Sequence, residues 1–488
     1  MSANVDYADV QGVVRYGYGG LADACFLLLR IKDRAAAQAW LRTAPVNNAL
    51  ESDPPPKTVL QIAFTRSGLE ALRVPTEVIQ QFSYEFFAGM VGEDSRSRRL
   101  GDIDANAPAK WYWGVGDNAP DLLLLLYAES GQLENWKGAI KGDNWNQAFT
   151  VLKTLQSEGL PRIEPFGFRD GISQPEIDWD EQKKLPADQL EYCNVTALGE
   201  FLLGYSNEYG KYSERPLLLI GEDASAGLLP AEEDPQFRDL GRNGSYLVLR
   251  QLEQDVEGFW RFINRKAPNP TDGVKLAEAM VGRRMSGEPL VASAAGDDMN
   301  QFTFDSDVDG VRCPFGAHIR RANPRNADYP YGTNTWWQKL LRLAGFHRTS
   351  FRDDLVSSTR FHRILRRGRP YGNLASPSQP APAAGSNERG IYFIAINANI
   401  SRQFEFVQNA WVMGTKFNGV NDESDPLVGN RQSLGGCPAG PFSIPQPEGI
   451  TRRVEGLEHF ITVRGGAYFF LPSIRALWYL ATVGDRQK

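Results

Sequence analysis

The stretch ACFLLLRIKDRAAAQAWL at residues 24–41 joins a continuous apolar run to an Ala-rich segment. This pattern predicts a buried β-strand followed by a helix. The stretch SYLVLRQLEQDVEGFWRFI at 245–263 repeats the arrangement 221 residues further on, with apolar side chains spaced to fall on one helical face. Each stretch therefore predicts one strand-helix unit.

A second pair of units lies further along the chain, as DLLLLLYAESGQLENWKGAI at 121–140 and IYFIAINANISRQFEFVQNAW at 391–411. In the latter, Phe404, Val407 and Trp411 are spaced for one face of an α-helix. Two related pairs of units predict an α+β protein built from two similar halves, each a sheet with helices packed on it.

The boundary between the halves is predicted within residues 216–244, which are rich in Pro, Gly and acidic residues. We place it after residue 240, giving domains 1–240 and 241–488.

Charge and hydropathy exclude several classes of protein. The 488 residues carry 53 Lys and Arg against 59 Asp and Glu, and no run of five basic residues occurs. This argues against nucleic acid or an anionic membrane as a partner. The longest aliphatic run, Leu122 to Leu126, is far shorter than the ~20 residues of a membrane span. The first 20 residues lack an export signal, so we expect a cytoplasmic protein.

Metal ligands are scarce in this chain, which has four His and four Cys. The cysteines are far apart and form no C-x-x-C pair, so neither a zinc knuckle nor a disulfide framework is predicted. They are Cys25, Cys193, Cys313 and Cys437. A metal cofactor must therefore depend on very few residues.

The first segment with candidate chemistry is PRIEPFGFRDGISQPEIDW at 161–179. Gly167 and Gly171 bracket Asp170, so the carboxylate is presented from a turn-rich loop. An Asx-turn, in which Asp170 only caps the local backbone, explains the same pattern.

The second segment is DGVRCPFGAHIRRANPRNADYP at 309–330, where His318 precedes Arg320, Arg321 and Arg325. Guanidinium groups repel a bare dication but suit a metal carried by an anionic macrocycle, since arginine binds the haem propionates and histidine binds the iron. A packed histidine beside a solvated basic face is the alternative. His362 is the main competing imidazole, because it lies four residues before Arg366.

The third segment is TRFHRILRRGRPYGN at 359–373. Arg366 follows the apolar pair Ile364 and Leu365, so its side chain is placed to point inward, where a guanidinium needs an anionic partner. A phosphate-binding loop, an anion clamp or a basic surface turn remain open. The nucleophile motif G-x-S-x-G and the P-loop motif are absent from the sequence.

Together these segments resemble the dye-decolorizing peroxidase family, and the resemblance spans residues 20 to 480. It closely follows the larger bacterial members. The matching motifs are GFRDG (167–171), CPFGAHIRRANPR (313–325) and ILRRGRPYG (364–372), supported by GEFLLGY (199–205), NGSYLVLRQLEQDV (243–256) and RQFEFVQNAW (402–411).

The resemblance implies two ferredoxin-like domains and one haem b per chain, held mainly by the C-terminal domain. It implies that His318 is the proximal ligand, Asp170 the distal acid-base group, Arg366 the distal arginine and Arg321 a propionate partner. The proximal histidine of the family bonds to a carboxylate. At the corresponding place this sequence has Asn399, with Glu405 as the nearest acid.

The implied activity is reduction of hydrogen peroxide with one-electron oxidation of aromatic or dye-like reductants, favoured by acidic pH. Electron relay through surface aromatics is a further expectation, and the residues near the motifs are Tyr331, Trp336, Trp337, Tyr371 and Trp411. Two rival interpretations are a haem-binding or iron-handling protein with little turnover and a non-haem anion-binding enzyme. The sequence leaves a homo-oligomer open.

Overall fold

The computed structural model describes residues 5–159, 163–182, 193–220, 227–291, 298–326, 359–372, 388–431 and 440–484. Tyr331, Trp336, Trp337, His347 and Cys437 lie outside these ranges.

The described chain contains short strands and helices in alternation. The strands are β1 (Asp23–Ile31), β2 (Thr58–Phe64), β3 (Leu122–Ala128), β4 (Phe149–Ser157), β5 (Glu176–Asp178), β6 (Val195–Ala197), β7 (Leu217–Leu219), β8 (Phe237–Asp239), β9 (Ser245–Gln254), β10 (Leu365–Arg366), β11 (Arg369–Tyr371), β12 (Gly390–Asn397), β13 (Lys416–Phe417), β14 (Val420–Asn421), β15 (Phe442–Ile444), β16 (Arg452–Val454) and β17 (Ile461–Leu471). The α-helices are α1 (Arg34–Leu41), α2 (Arg66–Ala71), α3 (Thr76–Ile79), α4 (Tyr84–Ala88), α5 (Asp94–Leu100), α6 (Leu133–Ala139), α7 (Trp145–Ala148), α8 (Val256–Lys266), α9 (Pro270–Val281), α10 (His318–Ala322) and α11 (Ile474–Thr482).

One nine-stranded antiparallel sheet organises the molecule, in the order β10-β12-β9-β17-β2-β3-β1-β4, with β11 also paired to β12. The first four strands have the order β2-β3-β1-β4, and the strands of the second half have the order β10-β12-β9-β17. Both halves thus share one strand order, with a helix after the first and third strands. The predicted α+β fold of two ferredoxin-like halves is confirmed.

The two halves meet between β17 and β2, where Phe470 pairs with Phe64. The sheet is therefore continuous across the boundary between the halves.

The apolar runs are continuous because helices and loops cover both faces of the sheet. In β3, Leu122, Leu124 and Leu126 pack into one core cluster, whereas Leu123 and Leu125 pack into another on the opposite face. A strand buried on both faces reads as an unbroken apolar run. A local signal marks the start of the helix that follows β1. Asp33 is the N-cap residue of α1, and its side chain accepts a hydrogen bond from the N–H of Ala36.

The fourth predicted strand-helix unit differs from expectation in its helix. The segments Ser401–Glu405 and Val407–Met413 form π-helix rather than α-helix. The N–H of Glu405 bonds to the carbonyl of Ile400, five residues earlier. π-Helices are rare and occur often at functional sites. The spacing of apolar residues predicted a helix here, but it does not distinguish the wider turn of a π-helix from that of an α-helix.

The C-terminal helix α11 returns to the first half of the molecule. Gln38 on α1 donates hydrogen bonds to the carbonyls of Leu480 and Val483. Of the helices that the structure describes, none combines the length and apolar character needed to cross a bilayer.

Candidate functional site

A large cavity lies against the strands of the second half and is also lined by residues before position 240, with about 1850 Å³ of empty space including its mouth. It is lined by Leu252 on β9, Phe393 on β12 and Val463 on β17, which share one face of the sheet, and by residues of α10 and of the π-helix. Its lining is mainly apolar, but His318, Asp170 and Arg366 all contribute to it.

His318 begins α10 and is fixed from behind by Asp425. Its Nδ1 lies 2.8 Å from Oδ2 of Asp425, which is fully buried. Oδ1 of Asp425 accepts hydrogen bonds from the N–H groups of Leu427 and Val428, each at 2.9 Å. With the Nδ1 proton directed at Asp425, Nε2 carries the free lone pair, and no described residue bonds to it. The ring is held as metal-ligating histidines are held.

In the His318–Asp425 pair, the pKa of the histidine is raised and that of the aspartate is lowered. Burial alone would raise the pKa of Asp425, but His318 and the backbone N–H of Val428 outweigh it and lower that pKa below its usual value. Burial likewise acts to lower the pKa of His318, and the neighbouring Asp425 carboxylate reverses this and raises it. Asp425 is therefore an ionised carboxylate held against the imidazole.

The partner of His318 is Asp425 and neither of the two residues considered from the sequence, Asn399 and Glu405. Glu405 instead pairs with Arg96 and accepts a hydrogen bond from the hydroxyl of Tyr468 at 2.8 Å. The side chain of Asn399 accepts a hydrogen bond from the N–H of Arg402. Asp425 lies 107 residues after His318, in the stretch NDESDP, and nothing local distinguishes it from the two acids beside it.

Asp170 and Arg366 form an ion pair in the same cavity. Nη1 of Arg366 lies 3.0 Å from Oδ1 of Asp170, and Nη2 donates to the carbonyl of Ser173 at 3.3 Å. The backbone N–H of Arg366 donates to Gln174, so the 173–174 segment fixes the arginine. A second cavity of about 1510 Å³ shares both residues, so the pair lies between the two cavities.

The electrostatics of the pair favour an ionised Asp170. Burial raises the pKa of Asp170, but the Arg366 guanidinium and the N–H of Gly171 outweigh it, so the pKa lies below its usual value. Asp170 and His318 influence each other's pKa without a hydrogen bond between them. Both side chains line the same cavity.

The loop that carries Asp170 is shaped by Glu164. Its carboxylate accepts hydrogen bonds from the N–H groups of Phe166 and Phe168 and from the side chain of Gln254 on β9. Gly167 has a φ of +102°, a conformation that glycine adopts readily. Burial raises the pKa of Glu164 to about 7. Glu164 lies six residues before Asp170, and neither interpretation of the sequence motif predicted that its carboxylate shapes this loop.

The arginines beside His318 do not face the cavity. Arg321 is fully buried and donates to the carbonyls of Trp411, Gly414 and Glu423. Arg320 binds Asp307 and the carbonyl of Cys313, and Arg325 binds the carbonyls of Asn300 and Phe302. The predicted propionate contact of Arg321 stays a prediction: in this structure the side chain binds backbone, as does Arg325, while Arg320 binds both backbone and Asp307.

The other described histidines are held differently from His318. Nδ1 of His362 contacts the carbonyl of Arg402, and its ring stacks on Phe406 with centroids 3.5 Å apart. Burial lowers the pKa of His362 to about 4, so the ring is neutral. His459 does not line the cavity. Only His318, of the described histidines, has a carboxylate behind it.

The aromatic candidates separate into three groups. Tyr371 is buried and stacks on Tyr392, and Trp411 lines the cavity. Tyr331, Trp336 and Trp337 lie outside the described residues. An additional stack reaches the surface at Tyr209, which is 53% exposed and lies 3.7 Å from Phe361, centroid to centroid.

Comparison with known proteins follows this geometry. No family model matches the chain. The chain is 30% identical to the multifunctional dye peroxidase DyP2 of an Amycolatopsis species over 396 residues, covering 76% of this chain and 73% of that protein. It is 28% identical to the dye-decolorizing peroxidase msp1 of Mycetinis scorodonius over 511 aligned positions, covering 98% and 88%.

Solved structures agree in fold. A fungal DyP-type peroxidase from Auricularia auricula-judae has a TM-score of 0.72 at 23% identity, covering 98% of this chain and all of that one. A DyP-type peroxidase from Anabaena has a TM-score of 0.71 at 23% identity, covering 97% and 94%.

The fold is that of the solved DyP-type peroxidases, and the cavity is lined by a histidine bonded to a carboxylate and by an acid–arginine pair. The chain belongs to the dye-decolorizing peroxidase family, whose members are haem peroxidases.

Proposed function

We propose that this protein reduces hydrogen peroxide with one haem b per chain and oxidises bulky aromatic or dye-like reductants in one-electron steps. The observation that carries the proposal is one cavity that His318, Asp170 and Arg366 all line, with Arg366 bonded to Asp170 at 3.0 Å.

The residues present fit a haem. His318 offers a free Nε2 at the cavity, while Asp425 holds Nδ1 at 2.8 Å and makes the imidazole a stronger ligand. The surrounding walls are mainly apolar, as a porphyrin requires, and the Arg366 guanidinium also lines the cavity. His318 would thus bind the iron, and Asp170 and Arg366 would act on the peroxide.

Asp170 performs the proton transfer in this mechanism. Cleavage of peroxide requires a proton to leave one oxygen and to reach the other, which departs as water, and one carboxylate can accept and then donate it. Arg366, 3.0 Å from Asp170, stabilises the negative charge that develops on the departing oxygen. Bound haem would supply the two electrons for O–O cleavage, and two reductant molecules would each return one.

Peroxide is proposed to enter through the second cavity, which Asp170 and Arg366 share with the first. Glycines line this route on two sides, at Gly17 in the N-terminal segment and at Gly368 between β10 and β11. A small oxidant reaches the acid-arginine pair by this route without crossing the apolar walls.

Bulky reductants are proposed to give up electrons at Tyr209. This ring stacks on Phe361, and the adjacent His362 stacks on Phe406 at 3.5 Å. Phe406 packs edge-on to Trp411 at 5.4 Å, and Trp411 lines the cavity. The two sets of ring contacts are joined by the backbone between Phe361 and His362.

Acidic conditions are proposed to favour turnover. Because the pKa of Asp170 is lowered, the carboxylate stays ionised, and therefore able to accept a proton, in mildly acidic solution. Acid also favours the release of the departing oxygen as water.

Two further parts of the proposal concern organisation. We propose the division 1–240 and 241–488, which is supported by the gap between β8 and β9. We propose a cytoplasmic location, which is supported by the free thiols of Cys25, Cys193 and Cys313.

Rapid mixing of the haem-loaded protein with hydrogen peroxide tests the function. The expected result is a fast change in the haem spectrum and multiple turnovers of a dye. A haem-binding protein that handles iron gives the ferric spectrum but no fast reaction. Absence of a histidine-ligated ferric spectrum, or its persistence in His318→Ala, would overturn the proposal.

A further inference from the structure

Arg321 occupies an unusual environment for a fully buried charge. Its Nη1 donates to the carbonyls of Trp411 at 2.8 Å and Gly414 at 3.0 Å, and its Nη2 donates to the carbonyl of Glu423. Among the described residues, no carboxylate bonds to it. Its guanidinium lies over the ring of Phe417 at 5.1 Å. One side chain on α10 therefore holds two other segments by their backbone.

The first of these segments is the C-terminal end of the π-helix. The last carbonyls of any helix lack partners within it, and a cation at this end also suits the helix dipole. Arg321 satisfies Trp411 and Gly414, the latter just past the last helical residue. Arg321 thus caps the π-helix from outside.

The second segment carries Asp425. The N–H of Asp425 donates to the carbonyl of Val412 at 3.0 Å, and Arg321 holds the carbonyl of Glu423 two residues earlier. The position of the Asp425 carboxylate is thereby fixed by the end of the π-helix. That carboxylate receives Nδ1 of His318, three residues before Arg321 on the same helix.

These contacts close a loop of bonded groups. It runs from His318 to Asp425, from Asp425 to Val412, along the helix end to Trp411, and through Arg321 back to α10. We propose that Arg321 is a positioning residue that sets the His318–Asp425 hydrogen bond, and through it the reduction potential of the bound iron. This inference rests on the proposed function.

The physical reason is the electron density of the imidazole. A short hydrogen bond to an ionised carboxylate gives the ring anionic character, which favours the ferric state. Lysine at position 321 keeps the charge but has a single ammonium group, which cannot span the carbonyls of both segments as the guanidinium fork does. In Arg321→Lys we therefore expect Asp425 to shift and its hydrogen bond to His318 to weaken. The ferrous state then becomes more stable relative to the ferric state.

The test compares Arg321→Lys with Arg320→Lys in haem-loaded protein. Arg320 is the matched control, because it is equally buried and also binds a backbone carbonyl, but its partners Asp307 and Cys313 are outside the cavity lining. Spectroelectrochemistry is expected to show the Fe(III)/Fe(II) equilibrium of R321K moved about tenfold toward Fe(II), which is about +59 mV for one electron. R320K is expected to stay close to wild type.

A double-mutant comparison tests the route. In an Asp425→Asn background, R321K is expected to add no further shift, because the hydrogen bond it acts on has changed already. A shift in R321K no larger than in R320K, or an equal added shift in D425N, would overturn the inference. Absence of a histidine-ligated spectrum in wild type would instead refute the proposed function.

A measurement without haem keeps the two failures apart. Hydrogen exchange of the peptide containing Asp425 is expected to be about tenfold faster in R321K than in R320K, since the bond to Val412 opens more often. Unchanged exchange would also overturn the inference. If R321K does not fold, Gly414→Ala replaces it, because its Cβ would lie 2.2 Å from the carbonyl of Ala410 and disturb the same helix end. It is expected to shift the potential in the same direction, and an unchanged potential would count against the role of Arg321.

Discussion

Asp170→Asn removes the proton acceptor while leaving the shape of the site. Asparagine has nearly the same size, and its Oδ1 can still accept the 3.0 Å hydrogen bond from Nη1 of Arg366. Arg366 also keeps its bonds to Ser173 and Gln174. The change therefore isolates proton transfer from the position of the arginine.

The expected loss follows from these contacts. Positioned acid-base catalysis contributes ~10²–10⁴-fold, so the second-order rate with hydrogen peroxide should fall by this factor, or about 3–5 kcal/mol of barrier. The arginine remains, so its electrostatic stabilisation of the departing oxygen is retained. Because the pKa of Asp170 is lowered, the wild-type rate should hold through mildly acidic pH and fall only as the pH drops through that lowered pKa. The variant should lack this acidic limb.

Stopped-flow spectroscopy across pH measures this rate directly. Glu253→Gln is the control, because Glu253 pairs with Arg464 at comparable exposure but outside the cavity lining. The control should retain the wild-type rate. A loss of less than about tenfold in D170N, or an unchanged acidic limb, would refute the assignment of Asp170 as the acid-base group.

Three other predictions address the remaining parts of the site. Arg366→Leu should lower the peroxide rate by ~10²–10³-fold, and combined with D170N it should cost less than the product of the two, because the side chains are bonded; full additivity in the same assay would contradict a joint role. Tyr209→Phe should slow oxidation of a bulky dye but not of a small phenol, whereas Tyr84→Phe, which alters an equally exposed tyrosine outside the stack, should affect neither; equal effects in steady-state assays would exclude the Tyr209 route. The pKa of Glu164 in the folded protein, about 7, lies above the usual 4.5, so its contribution to stability is full below pH 4.5 and is lost as the pH rises through 7. Over this window the free energy of unfolding of wild type should fall by about 3 kcal/mol relative to Glu164→Gln in denaturant titrations. Parallel stability curves for the two proteins would refute the raised pKa.

The sequence predicted the fold well because the fold depends on local patterns. The run Leu122 to Leu126 and the capped helix that follows Asp33 report strand and helix directly, and the second half repeats the same order. The π-helix escaped prediction, since apolar residues spaced for an α-helix also line one face of the wider turn.

The site was predicted through motifs, and motifs locate residues better than they orient them. His318, Asp170 and Arg366 were placed at one site, and the cavity brings them together. The arginines beside His318 were thought to face an anionic macrocycle, yet Arg320, Arg321 and Arg325 turn to carbonyls. Backbone carbonyls can accept the hydrogen bonds of a buried guanidinium, and the sequence does not show whether carbonyls or carboxylates lie near it.

Asp425 shows the other limit. Its role depends on a contact over 107 residues, and three acids lie within the four residues 422–425. Only packing of the 412–425 backbone against α10 selects the third of these acids. The spacing of residues along the sequence does not predict contacts between positions this far apart in the chain.

The return of α11 to the first half has a consequence for synthesis on the ribosome. Gln38 needs the carbonyls of Leu480 and Val483, and Gln11 needs that of Pro472. Domains generally fold as units while the chain emerges from its N-terminus. Here the first half cannot complete its own packing until residues 472–483 are translated, so the apolar surface that they cover stays exposed until then. Early release of the chain would leave this surface open to aggregation.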